Sequence, residues 1–324
     1  INQAQLVGQL QRAQMLHQAG RAVEAWTAIA PLRSHINHHG QALRLYALVA
    51  QGAGQVDAAA DALRRILTIE REPVEIVGAL ADLLGTAGRH GEALVLWTRL
   101  AALRPGDADA HLNRAIGAER AGKPEIAIAA ADAGLAQSPG HARLLAVKAM
   151  ALKSAGRLDE ALAAFEAAIA AEPDRALTRH NHAVALRAAG RFEEACAAFA
   201  TSERLGLTGA QFHANWAAAI LESGDVAGAV GHYRQALDQQ PGHEEALKGL
   251  TRIEIEFRGG DAAFDHYRAW VERAPGSPEP WVHWANALTA HNRFLARHDF
   301  KPDALTVSFD DDRNGLFGKI AASS

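Results

Sequence analysis

The chain has 324 residues, of which 49% are hydrophobic and 22% charged, the balance of a folded globular protein rather than of a disordered or membrane-embedded one. Its formal net charge of -4 lacks the clustered basic charge that binding to a nucleic-acid backbone requires, so no nucleic-acid function is expected. Cys196 is the one cysteine, which excludes an internal disulfide, and no leader peptide or long apolar run is recognisable, so we expect a cytoplasmic location and no membrane contact.

One eleven-residue pattern recurs along the chain. It reads AGRHGEALVLW at 87–97, AGRLDEALAAF at 155–165 and AGRFEEACAAF at 189–199. Its glycine belongs to a column with a step of 34 residues: Gly20, Gly54, Gly88, Gly122, Gly156, Gly190 and Gly224. Glycine adopts the left-handed backbone conformation that ends a helix without the steric penalty of a Cβ atom. The spacing therefore predicts a helix that ends near each glycine, a sharp turn, and a second helix.

Two columns of alanine keep the same step. The first contains Ala13, Ala47, Ala81, Ala115, Ala149, Ala183, Ala217 and Ala285, with Thr251 as its exception, and the second contains Ala25, Ala59, Ala93, Ala127, Ala161, Ala195, Ala229 and Ala263. Small side chains let two helix backbones approach closely, so we expect paired helices to cross at these positions. A proline column is predicted to end the second helices, because proline cannot continue a helix: Pro105, Pro139, Pro173, Pro241 and Pro275.

Small residues, an aromatic residue and a closing proline at this period resemble the tetratricopeptide repeat, over residues 6 to about 292. The resemblance implies an all-α fold, a right-handed superhelical solenoid of antiparallel helix pairs, with eight complete units and part of a ninth. The first unit departs from the pattern at Gln9 and Arg12, where apolar residues are expected, as terminal repeats often do. An irregular alanine-rich bundle would share the helical periodicity but not the fixed glycine interval.

The pattern breaks in the ninth unit. After HNRF at 291–294, Arg297 occupies a small-residue position and no amphipathic turn follows. We therefore predict a repeat domain over 1–294 and, over 295–324, either a non-repeat tail or the remnant of a further segment. Asp310, Asp311 and Asp312 lack the ligand alternation of a calcium-binding loop and are interpreted as a solvated turn.

Groups that could support catalysis or bind a metal do not form a recognisable set. Cys196 has no identifiable base beside it and is interpreted as a structural thiol. His35, His38 and His39 have the spacing of one helical face, but no carboxylate or cysteine completes a metal site. Since no phosphate-binding loop, dinucleotide fingerprint or nucleophile elbow is present, we expect no catalytic residue, no metal and no cofactor.

The resemblance implies that the first helix of each unit lines a concave groove, where residues not needed for the core are free to bind a ligand. The sixth position of three units is asparagine: Asn113, Asn181 and Asn215. An asparagine amide can pair with the backbone of an extended peptide, and the spacing is similar to the asparagine ladder in the repeat arm of O-linked N-acetylglucosamine transferases. Ala79, Val147 and Gly249 interrupt the ladder, and the simpler interpretation is a tolerated polar residue on an exposed helix.

Basic residues accompany the asparagines in the middle of the predicted groove. They are Arg120, Arg143, Lys153 and Arg187, with His180 beside Asn181, and they are opposed by Asp109, Glu119 and Glu222. This charge predicts an acidic extended peptide as ligand, against the simpler interpretation of a solvated surface of mixed charge. The carboxylate clamp that binds chaperone tails is not matched, since its basic and asparagine positions hold Ala146, Met150, Gln211 and Asn215.

The sequence thus predicts a scaffold that recognises a protein or an extended peptide in its groove and has no catalytic activity. The alternative is a substrate-recruiting arm of a larger enzyme of the glycosyltransferase, sulfotransferase or 2-oxoglutarate oxygenase type, since the resemblance implies that such arms precede catalytic domains. Self-association through the terminal helix that carries Trp281 and Trp284 is compatible with either hypothesis.

Overall fold

The computed structural model describes residues 2–70, 73–253, 263–273 and 276–287, and the regular secondary structure in these ranges is helical throughout. The chain divides into two compact units, residues 1–206 and 207–324. The first unit contains α1 (Gln3–Gln18), α2 (Ala22–Ile29), α3 (Gly40–Gly52), α4 (Val56–Ile69), α5 (Val74–Thr86), α6 (His90–Leu103), α7 (Ala108–Arg120), α8 (Pro124–Gln137), α9 (Ala142–Ser154), α10 (Leu158–Ala171), α11 (Ala176–Ala188) and α12 (Phe192–Arg204). The second contains α13 (Ala210–Glu222), α14 (Val226–Gln239), α15 (Glu244–Ile253) and α16 (Ala263–Arg273), and residues 279–287 are also helical.

The glycine column ends the first helix of each pair, as the spacing predicts. All seven glycines are left-handed, with φ between 67° and 98°. At Gly156 the next residue, Arg157, donates its N–H to the carbonyl oxygen of Leu152 across 2.9 Å, so the end of α9 closes in a Schellman turn. The chain then reverses into α10 within a few residues.

The arginine and glutamate of the recurring pattern meet at the start of the second helix. Arg157 donates from Nε and Nη2 to the two carboxylate oxygens of Glu160, each across 2.7 Å. The hydrogen bond from Arg157 lowers the pKa of Glu160, and the carboxylate lies in the first turn of α10, where the helix dipole favours negative charge. Equivalent pairs begin three other second helices: Arg21 with Glu24, Arg89 with Glu92, and Arg191 with Glu194.

The alanine columns are buried at the helix crossings. From Ala13 to Ala217 the first column is at most 4% exposed, and from Ala25 to Ala229 the second is fully buried. Thr251 is accommodated because its hydroxyl bonds the Leu247 carbonyl oxygen at 2.8 Å and the Tyr267 hydroxyl at 2.9 Å. Ala285 differs from the expectation, since it is exposed; the second helix predicted to cover it falls after residue 287, outside the described residues.

Glycine also serves close packing around Trp97. This α6 residue is buried between α5 and α7, and its Nε1 donates to Asp82 Oδ1 across 3.4 Å. A Cβ atom on Gly85 of α5 or on Gly117 of α7 would overlap the indole ring. The two glycines therefore make the space that the largest side chain of this region fills.

The odd-numbered helices of the first unit form an inner layer. Each helix packs on the next along the chain, and α1 with α3, α7 with α9, and α9 with α11 also touch, whereas the even-numbered helices of the described part make fewer such contacts. The layer whose members lie closer together is the inner one in a stack of helix pairs. The structure thus confirms the all-α repeat array and directs the first helices inward.

The linker between the units departs from the repeat. Helices α6, α8, α10 and α14 each end two residues before the proline column, at Leu103, Gln137, Ala171 and Gln239. Between α12 and α13 that column holds Leu207, and Gly206 and Gly209 adopt φ values of 90° and 135°. The contact division falls here, within the predicted repeat domain. The predicted boundary at 294/295, Arg297 and the three aspartates at 310–312 lie outside the described residues.

Candidate functional site

The middle of the inner layer in the first unit is built by α7, α9 and α11. Equivalent positions on these three helices hold Ile116, Met150 and Val184, all half-buried. We call these three apolar residues, one on each helix, the floor of this surface. Polar groups of the same helices stand beside this floor.

Two of the three predicted asparagines belong to this surface. Asn113 on α7 and Asn181 on α11 are half-buried, with Val147 of α9 at the intervening position. The Asn181 amide nitrogen lies 3.5 Å from the Met150 sulfur, which ties α11 to α9. Asn215 lies in the second unit, where its Oδ1 accepts from Gln211 Nε2 across 3.3 Å. The predicted ladder is thus divided between two units.

The predicted basic residues separate into two places. Arg120, Lys153 and Arg187 occupy the last turns of α7, α9 and α11, so they lie at the same edge of the inner layer; we call them the carboxyl-edge cluster. Arg143 is in the first turn of α9, about 15 Å away from Lys153 at 1.5 Å per residue. Among the described residues, no carboxylate lies within ion-pair distance of Arg120, Arg143 or Lys153. Cations in a last turn also stabilise the negative end of the helix dipole.

His180 lies beside the cluster. Its half-buried ring packs edge-on against Phe199 of α12, with 5.5 Å between ring centroids. Burial lowers the pKa of His180, and the charge of Lys153 lowers it further. His180 is therefore neutral at pH 7. His182, two residues on, packs instead against Phe165 of α10, as expected for residues on different sides of one helix.

A second surface, which the sequence reasoning missed, lies at the other end of the first unit. We call it the N-terminal groove: a cleft of about 910 Å³ between α1, α3 and the connection that precedes α3. Its apolar lining is Leu6, Val7, Leu10, Ile36, Ala42, Leu45 and Leu48, and its polar lining is Gln3, Gln14, His35, His39, Gln41 and Arg44. The signal was present in the sequence, because Val7, Leu10, Leu45 and Leu48 occupy groove positions of the first two units.

The other histidines, the cysteine and the tryptophans named in the sequence analysis lie outside the surface of α7, α9 and α11. His38 Nδ1 is 3.1 Å from Arg65 Nη2, while His35 and His39 line the N-terminal groove, and the described residues hold no group of three side chains suited to a metal ion. Cys196 is half-buried in α12. Trp281 and Trp284 stack on each other with ring centroids 5.7 Å apart, and both are half-buried.

Comparison with known proteins places the chain among helical repeat proteins. Among the described residues, no helix is long and apolar enough to cross a membrane. A search of curated protein sequences found no significant match. A crystal structure of a tetratricopeptide repeat protein from Parabacteroides merdae superposes with a TM-score of 0.60 at 15% identity, covering 75% of this chain and 96% of that one. Yeast Tom70 superposes with a TM-score of 0.57 at 14% identity, covering 93% of this chain and 62% of Tom70.

These structural likenesses, at low identity, show the fold. The family profile of the tetratricopeptide repeat matches residues 79–142, 112–176, 147–206 and 215–278, together more than half of the sequence. The matched residues include the glycine column from Gly88 to Gly224 and the alanine columns from Ala81 to Ala263, in both units. The chain therefore belongs to the tetratricopeptide repeat family.

Proposed function

We propose that this chain is a scaffold that binds an extended segment of a partner protein along the inner layer of its first unit, and that it acts by binding and not by catalysis. The observation that carries the proposal is the row of α7, α9 and α11, where the Asn113 and Asn181 amides flank an apolar floor. An extended peptide has unpaired backbone groups that such amides can pair. Because the helices are already formed, little ordering entropy is lost on binding.

The charge of this surface favours an acidic ligand. Arg120 and Lys153 lack carboxylate partners among the described residues, and Arg187 lies at the same edge. A ligand carboxylate at this edge would gain two or three cations without breaking an ion pair of Arg120 or Lys153. His180 would contact the ligand as a neutral donor or acceptor. Arg143, at the opposite edge, would meet a second carboxylate farther along the segment.

Selection of a random library of 12-residue peptides on the full chain tests the proposal. We expect acidic peptides among those selected, and at least ten-fold weaker binding of them, measured by fluorescence anisotropy, to the double variant Lys153→Glu/Arg187→Glu. The single variant Arg143→Glu tests the opposite edge. A matched control is Arg204→Glu/Arg234→Glu, which reverses two exposed charges on the second helices α12 and α14.

Unchanged affinity in the Lys153→Glu/Arg187→Glu variant would reject the carboxyl-edge cluster as the binding surface. Equal loss in the Arg204→Glu/Arg234→Glu control would show that net charge alone governs binding. If the library returns no binding peptide at all, peptide recognition by this chain is contradicted.

A further inference from the structure

We infer that the N-terminal groove binds a second class of ligand: an extended, uncharged peptide stretch with apolar side chains. The inference rests on the proposed function, because it assigns a ligand chemistry to another part of the same inner layer. The two surfaces of the first unit then differ in ligand: the N-terminal groove binds uncharged peptides, and the surface of α7, α9 and α11 binds acidic ones. Three observations on the groove and one on the helix beside it support the inference.

The N-terminal groove contains solvent-exposed apolar side chains. Val7 of α1 is 47% exposed and Leu48 of α3 is 51% exposed, and Leu6, Leu10 and Leu45 beside them are half-buried. Apolar surface gathered in a cleft marks a binding site more strongly than the same residues scattered over a convex surface. The volume of about 910 Å³ lies in the upper part of the range for ligand pockets, enough for several apolar side chains.

The polar lining suits a peptide backbone. Gln3 and Gln14 on α1 and Gln41 on α3 line the cleft, and each amide offers both donors and an acceptor. Such groups can pair the N–H and C=O groups of an extended chain whatever its side chains are. The apolar lining would then receive alternate side chains of the same stretch.

The one arginine that lines the N-terminal groove is already paired with a carboxylate of the protein. Arg44 donates from Nη1 and Nη2 to the two carboxylate oxygens of Glu70, each across 2.6 Å. In this bidentate pair the positive charge of Arg44 is compensated by the carboxylate of Glu70. A ligand carboxylate brought into the cleft would lose hydration without gaining a free arginine or lysine of its lining, so an uncharged stretch is the better fit.

The region between the two surfaces also favours this division. Glu75 and Asp82 are exposed acidic residues of α5, the inner-layer helix between α3 and α7. Like charges would repel an acidic peptide from this region. We therefore expect acidic peptides to bind at α7, α9 and α11. The N-terminal groove between α1 and α3 then accommodates uncharged peptides.

Selection from a random library of 12-residue peptides on the full chain, followed by anisotropy with individual labelled peptides, tests the inference. We expect a class of selected peptides without charged residues and with several apolar ones. These should bind the Leu48→Glu variant at least ten-fold more weakly than the wild type and bind Lys153→Glu/Arg187→Glu normally. Leu48 is exposed, so the substitution leaves packing intact. The matched control is Val23→Glu on α2, 74% exposed and outside the groove, which should bind like the wild type.

The other outcomes of this experiment distinguish failure of the groove assignment from failure of the proposed function. If uncharged apolar peptides are not selected, or if they bind Leu48→Glu as tightly as the wild type, the groove assignment is wrong. In that case acidic peptides that lose affinity to Lys153→Glu/Arg187→Glu would leave the proposed function standing. If no peptide of either class binds, both proposals fail together. Equal weakening by Val23→Glu would also overturn the groove assignment, since added charge anywhere would then suffice.

Discussion

His182 is a half-buried titratable residue on α11, held against Phe165 with a ring separation of 5.9 Å. Burial is the main cause that lowers the pKa of this imidazole below its ordinary value, while neighbouring charges of both signs partly cancel. In the unfolded chain His182 becomes protonated below about pH 6.5, whereas in the folded chain its protonation requires a lower pH. The stability contributed by neutral His182 is present above that pH and is lost as the pH falls through it.

Replacement of His182 by glutamine should reduce the loss of stability in acid. We expect the midpoint of thermal unfolding to fall between pH 7.5 and pH 5.5 in the wild type, and to fall less in His182→Gln, because this variant has no imidazole to protonate. The control is His39→Gln, which makes the same substitution at an exposed histidine outside α11. An unchanged pH dependence in His182→Gln would show that burial of this ring does not contribute to acid sensitivity.

At the scale of the element, the helix pair depends on small residues at its crossing. Ala149 of α9 and Ala161 of α10 are both fully buried, and the turn between them is closed at Gly156. Both features were predicted from the 34-residue columns, because helix termination and close approach depend on residue size at fixed positions along the helix. The same two features recur in pairs from α1 to α14.

Ala161→Leu tests the crossing. A leucine there has no space between α9 and α10, so we expect a loss of about 1–3 kcal/mol in the free energy of unfolding, measured by urea denaturation with circular dichroism. Ala163→Leu, on the exposed face of α10, is the matched control and should be close to neutral, because leucine and alanine are both good helix formers. Equal stabilities of the two variants would contradict close packing at Ala161.

At the scale of the whole molecule, each helix contacts only near neighbours along the chain, and the contact division at 206/207 coincides with the glycine-containing linker. Stability in such arrays is a sum of local terms, so a fragment cut between units keeps its interfaces.

We expect residues 1–206 to fold alone, with a helical circular dichroism spectrum and cooperative melting. A fragment of residues 1–189, which leaves α11 without α12, should be less stable; equal melting of both, or an unfolded 1–206, would contradict this division.

The repeat period, the helix ends and the alanine crossings could be predicted from the sequence alone, because each depends on interactions within one helix pair and the pattern states them several times. The breaks were visible too: Leu207 replaces a proline and Gln9 an apolar residue. Only the tertiary structure decided which side chains share a surface. It brought Lys153 of α9 and Arg187 of α11 to one edge of the inner layer, put Asn215 in another unit, and formed the N-terminal groove from α1 and α3. These relations join residues of different repeats, and helix–helix packing, which no single repeat specifies, determines them.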